Sequence, residues 1–127
     1  MNNWKQDQPI YRQLRDRIAA LILEHVVPEG DPLPSARTIA AEYRINPLTV
    51  LKAFQELEDE GLIENRRGIG MFVNPGARDR LLRTERARFL DEEWPRVLTM
   101  IHRLGLKTEE LLRGTGRNSA QPKARTR

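Results

Sequence analysis

The chain contains no cysteine. Neither a disulfide framework nor a thiolate zinc site is available to it, and an ordinary reducing compartment suits it. Histidine is nearly as scarce. His25 and His102 are the two, and neither has a nearby carboxylate at a spacing that would build a metal or catalytic site. No apolar run is long enough for a membrane span, and Met1-Asn2-Asn3-Trp4-Lys5 lacks the apolar stretch of a signal peptide. A cytoplasmic protein with no membrane segment, cofactor or metal is expected. No phosphate-cradling loop or nucleophile motif is present, and Asp91-Glu92-Glu93 reads as a solvated acidic face because adjacent helical carboxylates point apart. These absences argue against an enzyme. The 127 residues accommodate one small domain of three or four helices plus an appendage.

A strong positive charge is missing where it would be most informative. The net charge is +4, yet residues 1–76 hold nine Lys/Arg against eleven Asp/Glu, and the excess lies in residues 77–127, with thirteen against seven. Bulk charge therefore does not argue for a nucleic-acid partner. Phosphate contacts depend on local potential, so the order of elements has to carry the reading.

That order is informative. After Pro9-Ile10-Tyr11, the residues Leu14, Ile18, Leu21, Ile22 and Val26 recur at spacings of three and four, which predicts an amphipathic helix ending near Val27. Pro28, Gly30, Pro32 and Pro34 then impose a rigid extended loop. Ser35 is a favoured N-cap for a short helix from Ala36 to Tyr43 with Ile39 and Ala40 inward, although Thr38 stands where a capping box needs an acid. Arg44-Ile45 form a turn, and Asn46-Pro47 open the next helix with a good cap followed by the residue best tolerated at the first helical position. Val50, Ala53, Phe54 and Leu57 form its apolar stripe, and Glu56, Glu58, Asp59 and Glu60 collect before Gly61 ends it. Leu62-Ile63-Glu64 and Met71-Phe72-Val73 are short β-prone runs joined through Asn65-Arg66-Arg67-Gly68-Ile69-Gly70, a hairpin with two arginines at its tip.

Helix, turn, helix and hairpin in this succession describe a winged helix-turn-helix, which offers one helix to the DNA major groove and the hairpin to a neighbouring groove or the backbone. The charge of the Asn46 helix is polarised. Its acidic C-terminal end would be repelled by phosphate, whereas its N-terminal end carries the positive helix pole and exposes Asn46, Leu48, Thr49 and Lys52. Taken alone, this helix reads equally as an ordinary amphipathic helix with a solvated acidic end. Taken alone, the hairpin reads as a tight turn with solvated arginines; directly behind a helix-turn-helix it reads as a wing.

Pro9-Ile10-Tyr11, Leu33-Pro34-Ser35-x-Arg37, Asn46-Pro47-x-Thr49-Val50, Leu57-Glu58-x-x-Gly61 and Gly68-x-Gly70-x-Phe72-Val73 resemble, in order and distance, the GntR family of bacterial transcription regulators over residues 9 to 75. Asn46-Pro47 and the short helical C-terminal region are similar to its small YtrA-type branch, whose members often sit beside ABC-transporter genes and repress them. The resemblance implies that Ser35 and Arg37 lie at the start of a DNA-facing helix. Arg37 would reach into the major groove, where a guanidinium can pair with guanine O6 and N7. It also implies that Asn46, Thr49 and Lys52 face DNA and that Arg67, Gly68 and Gly70 form the wing tip; Arg66, the other arginine of the hairpin, is expected at DNA beside them. Departures stand beside it. Ala36 replaces a frequent glutamate, and Pro47, Leu48 and Leu51 replace polar or basic residues of other branches, so base preference is not carried over. Leu48, where exposed, is expected to touch a thymine methyl.

Beyond Asn74-Pro75-Gly76, which reads as a linker, Leu81, Leu82, Phe89, Leu90, Trp94, Val97, Leu98, Ile101 and Leu104 trace apolar stripes through a helical segment. Pro95 should kink that segment or start a new helix, since its ring crowds the carbonyl of Asp91. Thr108 is expected to cap a last short helix after a bend at Gly105. Such a segment needs a partner for its apolar face. A homodimer interface formed by Leu82, Phe89, Leu90, Trp94, Leu98, Ile101 and Leu104 suits paired operator half-sites, and burial on the chain's own first domain is the alternative. From Gly114 onward the composition predicts a disordered basic tail.

The expected architecture is mainly α with a small β-hairpin: a winged helix-turn-helix over 1–75, a helical dimerisation region over 76–113 and a tail over 114–127. The expected function is that of a sequence-specific transcription regulator, a repressor acting as a homodimer on a palindromic double-stranded DNA operator. An effector, unidentified from sequence, is expected at the small helical region or the dimer interface. The rival reading is a winged-helix module that binds protein partners instead of DNA, since one fold hosts unrelated functions.

Overall fold

The computed structural model describes residues 4–114. Its elements are α1 (Ile10–Leu23), α2 (Ala36–Tyr43), α3 (Pro47–Asp59), β1 (Ile63–Arg66), β2 (Gly70–Val73), α4 (Ala77–Arg88), a π-helical turn (Phe89–Glu93), α5 (Trp94–Arg103) and α6 (Thr108–Leu112). The chain divides into two compact units between Glu85 and Arg86. The first holds the winged helix-turn-helix; the second is helical. The tail expected from Gly114 lies, apart from that glycine, outside the described residues.

The first unit is built on the stripes visible in the sequence. Leu14, Ile18 and Ile22 of α1, Ile39 and Ala40 of α2, and Val50, Ala53, Phe54 and Leu57 of α3 form one buried cluster with Leu62, Ile63 and Val73 of the hairpin. Alternation explains the hairpin's share. Ile63 pairs with Val73 in antiparallel register and both are buried, Glu64 and Arg66 fall on the opposite face, and Asn65, on the face of Ile63, is exposed towards the tip. Each strand is longer than the sequence suggests, reaching Arg66 and Gly70.

Several ends obey the expected chemistry. The Ser35 hydroxyl accepts from the Thr38 N–H at 3.1 Å, and the Asn46 side chain accepts from the Leu48 N–H at 2.8 Å. At the close of α3, Gly61 takes a φ of +78°, while the Leu62 N–H donates to the Leu57 carbonyl and the Gly61 N–H to that of Glu58. Those two bonds make a Schellman motif.

Other ends differ from expectation. The first helix stops at Leu23, four residues before Val27, because His25 takes a left-handed φ of 61° and the Val26 and Val27 N–H groups both turn back to the Leu21 carbonyl. Val26 is consequently 61% exposed and no part of the helix stripe. The proline-rich loop does more than span a gap. Gly30 donates to the Val73 carbonyl, Val73 to that of Asp31 and Leu33 to that of Met71, so residues 30–33 line the free edge of β2.

Asn74-Pro75-Gly76 is a bonded corner rather than a loose linker. The Asn74 amide donates to the Gly61 carbonyl at 2.9 Å, and the Glu29 carboxylate accepts from the Gly76 and Arg78 N–H groups at 2.9 and 3.1 Å. Glu29 thereby caps α4 from across the fold. Ala77 and Leu81 of α4 are buried in the first unit's core.

In the second unit, Pro95 falls in the first turn of α5, directly after the π turn, and the Trp94 N–H donates to the Phe89 carbonyl. A wider turn relieves the crowding that a proline ring imposes on the preceding carbonyls, which fulfils the expected break. The expected cap at Thr108 is not formed. Lys107 occupies the N-cap, and Thr108 is the first helical residue. No helix among the described residues is long and apolar enough to cross a membrane.

Candidate nucleic-acid interface

All ten residues expected at DNA fall in the first unit, and all except the half-buried Thr49 are exposed. They occupy three places: the start of α2, the start of α3 and the hairpin tip. Arg37 is the second residue of α2, two past the Ser35 cap, and among the described residues it makes no ion pair. The left-handed φ of 57° at Arg44 makes the tight turn between α2 and α3, and the Ile45 N–H closes it on the Ala40 carbonyl.

The first turn of α3 is held by Asn46 itself. Its side-chain oxygen is committed to the Leu48 N–H, so the amide nitrogen is the group left for an incoming base or phosphate. Leu48 is 70% exposed, and Leu51, one turn on, is half exposed. Lys52 places Nζ 4.4 Å from the centre of the Tyr11 ring, so its charge rests on an aromatic face at the start of α1.

At the wing, the Ile69 N–H donates to the Arg66 carbonyl at 2.8 Å, with Gly68 at φ +79° and Gly70 at φ +135°. Both angles favour glycine. A Cβ at either position would meet nothing within 4 Å, which leaves the conformation itself as the reason for glycine and the tip backbone open to approach. The two arginines differ. Arg66 lies 4.2 Å over the Phe72 ring and 3.8 Å from Glu64, whereas Arg67 is at the exposed tip.

The acidic end of α3 is less solvated than its sequence implies. Glu56 pairs with Arg12 at 3.5 Å. Arg15, buried on α1, donates to both carboxylate oxygens of Glu60, through Nε at 3.0 Å and through Nη2, and lies 2.9 Å from Asp16 and 3.6 Å from Glu85. Burial opposes the Arg15 charge, but its hydrogen bonds to Glu60 and Asp16 more than offset it and hold its pKa above the usual arginine range. The hydrogen bond with Tyr11 leads the same upward shift at exposed Arg12, aided by Glu56. The acidic end of α3 is thus tied to α1 by ion pairs, while its N-terminal end exposes Asn46 and Leu48.

Three residues outside the expected set stand beside it: Tyr11 under Lys52, Leu51 one turn past Leu48, and Ile69, 70% exposed at the hairpin tip. A three-residue spacing from Leu48 to Leu51 was the available signal for the second of these. Of the residues expected at a dimer interface, Leu82, Trp94 and Leu98 are half-buried, and Phe89, Leu90 and Leu104 are exposed. Ile101 is only 6% exposed in the single chain, which leaves little of it for a second copy, while Met100 presents apolar surface that was not expected. The Phe89 and Trp94 rings lie 6.2 Å apart.

Three helices, a tight turn and a paired hairpin with these exposed groups define a winged-helix transcription regulator. The family described as "Bacterial regulatory proteins, gntR family" matches residues 10–73, and the chain belongs to it. The HTH-type transcriptional repressor YtrA of Bacillus subtilis is 34% identical over 84% of this chain and 82% of its own length. Among solved structures, a transcriptional regulator from Oenococcus oeni superposes with a TM-score of 0.69 at 32% identity, covering 89% of this chain and 92% of that one. YtrA from Sulfolobus acidocaldarius, a GntR-family transcription factor, does so with a TM-score of 0.55 at 34% identity, covering 71% and 95%. The chain is of the YtrA type within the family.

Proposed function

We propose that the protein represses transcription by binding a palindromic operator as a homodimer, with the N-terminal end of α3 in the major groove and the Arg67 tip at the adjoining groove or backbone. The observation that carries this reading is the exposure of Arg37, Leu48, Lys52 and Arg67 around two helix starts and one hairpin tip, while the acidic end of α3 is tied back by Arg12 and Arg15. Positive charge and helix poles thus lie where phosphate would sit, and negative charge lies away from it. The named repressor among the relatives supports the sign of regulation. The YtrA-type resemblance further points to an ABC-transporter operon as the regulated unit, and action on the chromosome places the protein in the cytoplasm.

Selection of bound duplexes from a randomised pool at near-physiological salt tests the proposal. An enriched inverted repeat is the expected result, and the double variant Arg37→Ala, Arg67→Ala is expected to lose that binding. Retention without enrichment means phosphate-driven binding only. No retention, with the double variant behaving like the parent, favours a protein-interaction module.

A further inference from the structure

The leading face of α3 is short of hydrogen-bonding groups. The Asn46 oxygen is used as the cap, Lys52 rests on Tyr11, and Thr49 is half-buried. What projects furthest from this end of the helix is apolar: Leu48 and Leu51, with Val50 between them wholly buried. Residues three apart lie on one side of a helix, about 5–6 Å from each other at Cβ. Two large apolar side chains, one 70% and the other 50% exposed, stand amid the groups that would face a polyanion, where water is a poor partner for them.

We propose that Leu48 and Leu51 together form an apolar strip that specifies two thymines, one or two base steps apart, by contact with their C5-methyl groups. The proposal rests on the DNA-binding reading and adds to it the chemistry by which bases are chosen. Thymine is the one base that presents an apolar group in the major groove; a cytosine there offers an N4 donor that leucine cannot satisfy. The separation of the two side chains matches bases stacked at roughly 3.4 Å per step. Arg37 would then supply the polar part of the readout from α2, and the leucines the apolar part from α3.

The test replaces each thymine of a selected duplex, one at a time, with deoxyuridine, which keeps every hydrogen-bonding group and removes only the methyl. Binding of the full chain is followed by fluorescence anisotropy. Two positions in each half-site, one or two steps apart, are expected to weaken binding about fourfold each, the value of one buried methyl. Leu48→Ala should remove the sensitivity at one of these positions and Leu51→Ala at the other, with each variant binding its uridine duplex as tightly as its thymine duplex. Uridine substitution without effect at every position overturns the proposal, as does a selected half-site without thymine, or sensitivity that survives in both variants. Those results would leave specific binding by the parent chain intact. Absence of any enriched sequence would instead remove the regulator reading, and this proposal with it.

Discussion

Two residues tie elements of the first unit together by electrostatics that no local motif announces. Arg15 is a buried cation facing carboxylates from its own helix, from the end of α3 and from α4. Such a group persists only when paired, since removal of its partners leaves an uncompensated charge. Glu29 works at the surface. The N–H groups of Gly76 and Arg78 hold its carboxyl below the usual carboxylate range, with smaller help from the His25 and Arg78 charges. A carboxyl whose folded pKa is depressed contributes stability above its unfolded pKa and loses it as pH falls through the folded value. Glu29→Gln is therefore expected to lower the denaturation midpoint at pH 7, and the gap between the two proteins should close as the pH drops below the carboxylate range. Urea titrations of both proteins at pH 7 and pH 3 check this. An equal gap at both pH values would show that the charge of Glu29 is not what caps α4.

Among the elements, α3 is the one that the proposed function places in the major groove, and its first turn is capped by the Asn46 side chain. Asn46→Ala is expected to cost about 1 kcal/mol by removing the cap on the Leu48 N–H, and also to weaken operator binding, because the fraying turn carries Leu48. Asn46→Asp should keep the cap, so comparing the two variants by thermal melting and by anisotropy separates the structural share from contact with DNA. This helix was legible in the sequence because its signals are local: Asn46-Pro47 at one end, Gly61 at the other and a stripe between. The same holds for the Ser35 cap and the glycine-bearing wing. What escaped was non-local. The end of α1 depends on a left-handed His25 that prolines farther on do not specify, and the edge pairing of residues 30–33 depends on β2, some forty residues away. The resting place of Lys52 on Tyr11 and the ties from α1 to the acidic end of α3 likewise require the fold before they can be seen.

At the scale of the whole molecule, two groups of exposed apolar side chains stand out. Leu48, Leu51 and Ile69 belong to the proposed DNA face, whereas Phe89, Leu90, Val97, Met100 and Leu104 belong to the helices of the second unit. A run of large apolar side chains on consecutive helical turns is the surface that a second copy would cover, and a two-fold pair would carry two recognition helices to the two arms of an inverted repeat. Sedimentation equilibrium at micromolar concentration is expected to show a dimer. Leu104, 62% exposed and thus dispensable to the fold of a single chain, is the side chain to change. Leu104→Glu should shift the sedimenting species to monomer while the far-ultraviolet circular dichroism keeps its helical form. Operator affinity should fall on the order of 10²-fold, since the second half-site no longer binds as an intramolecular event. A single half-site duplex should be bound almost equally by parent and variant. If the parent itself sediments as a monomer, or if the variant loses half-site binding as well, those helices serve the first unit's stability rather than pairing, and the palindromic operator loses its structural reason.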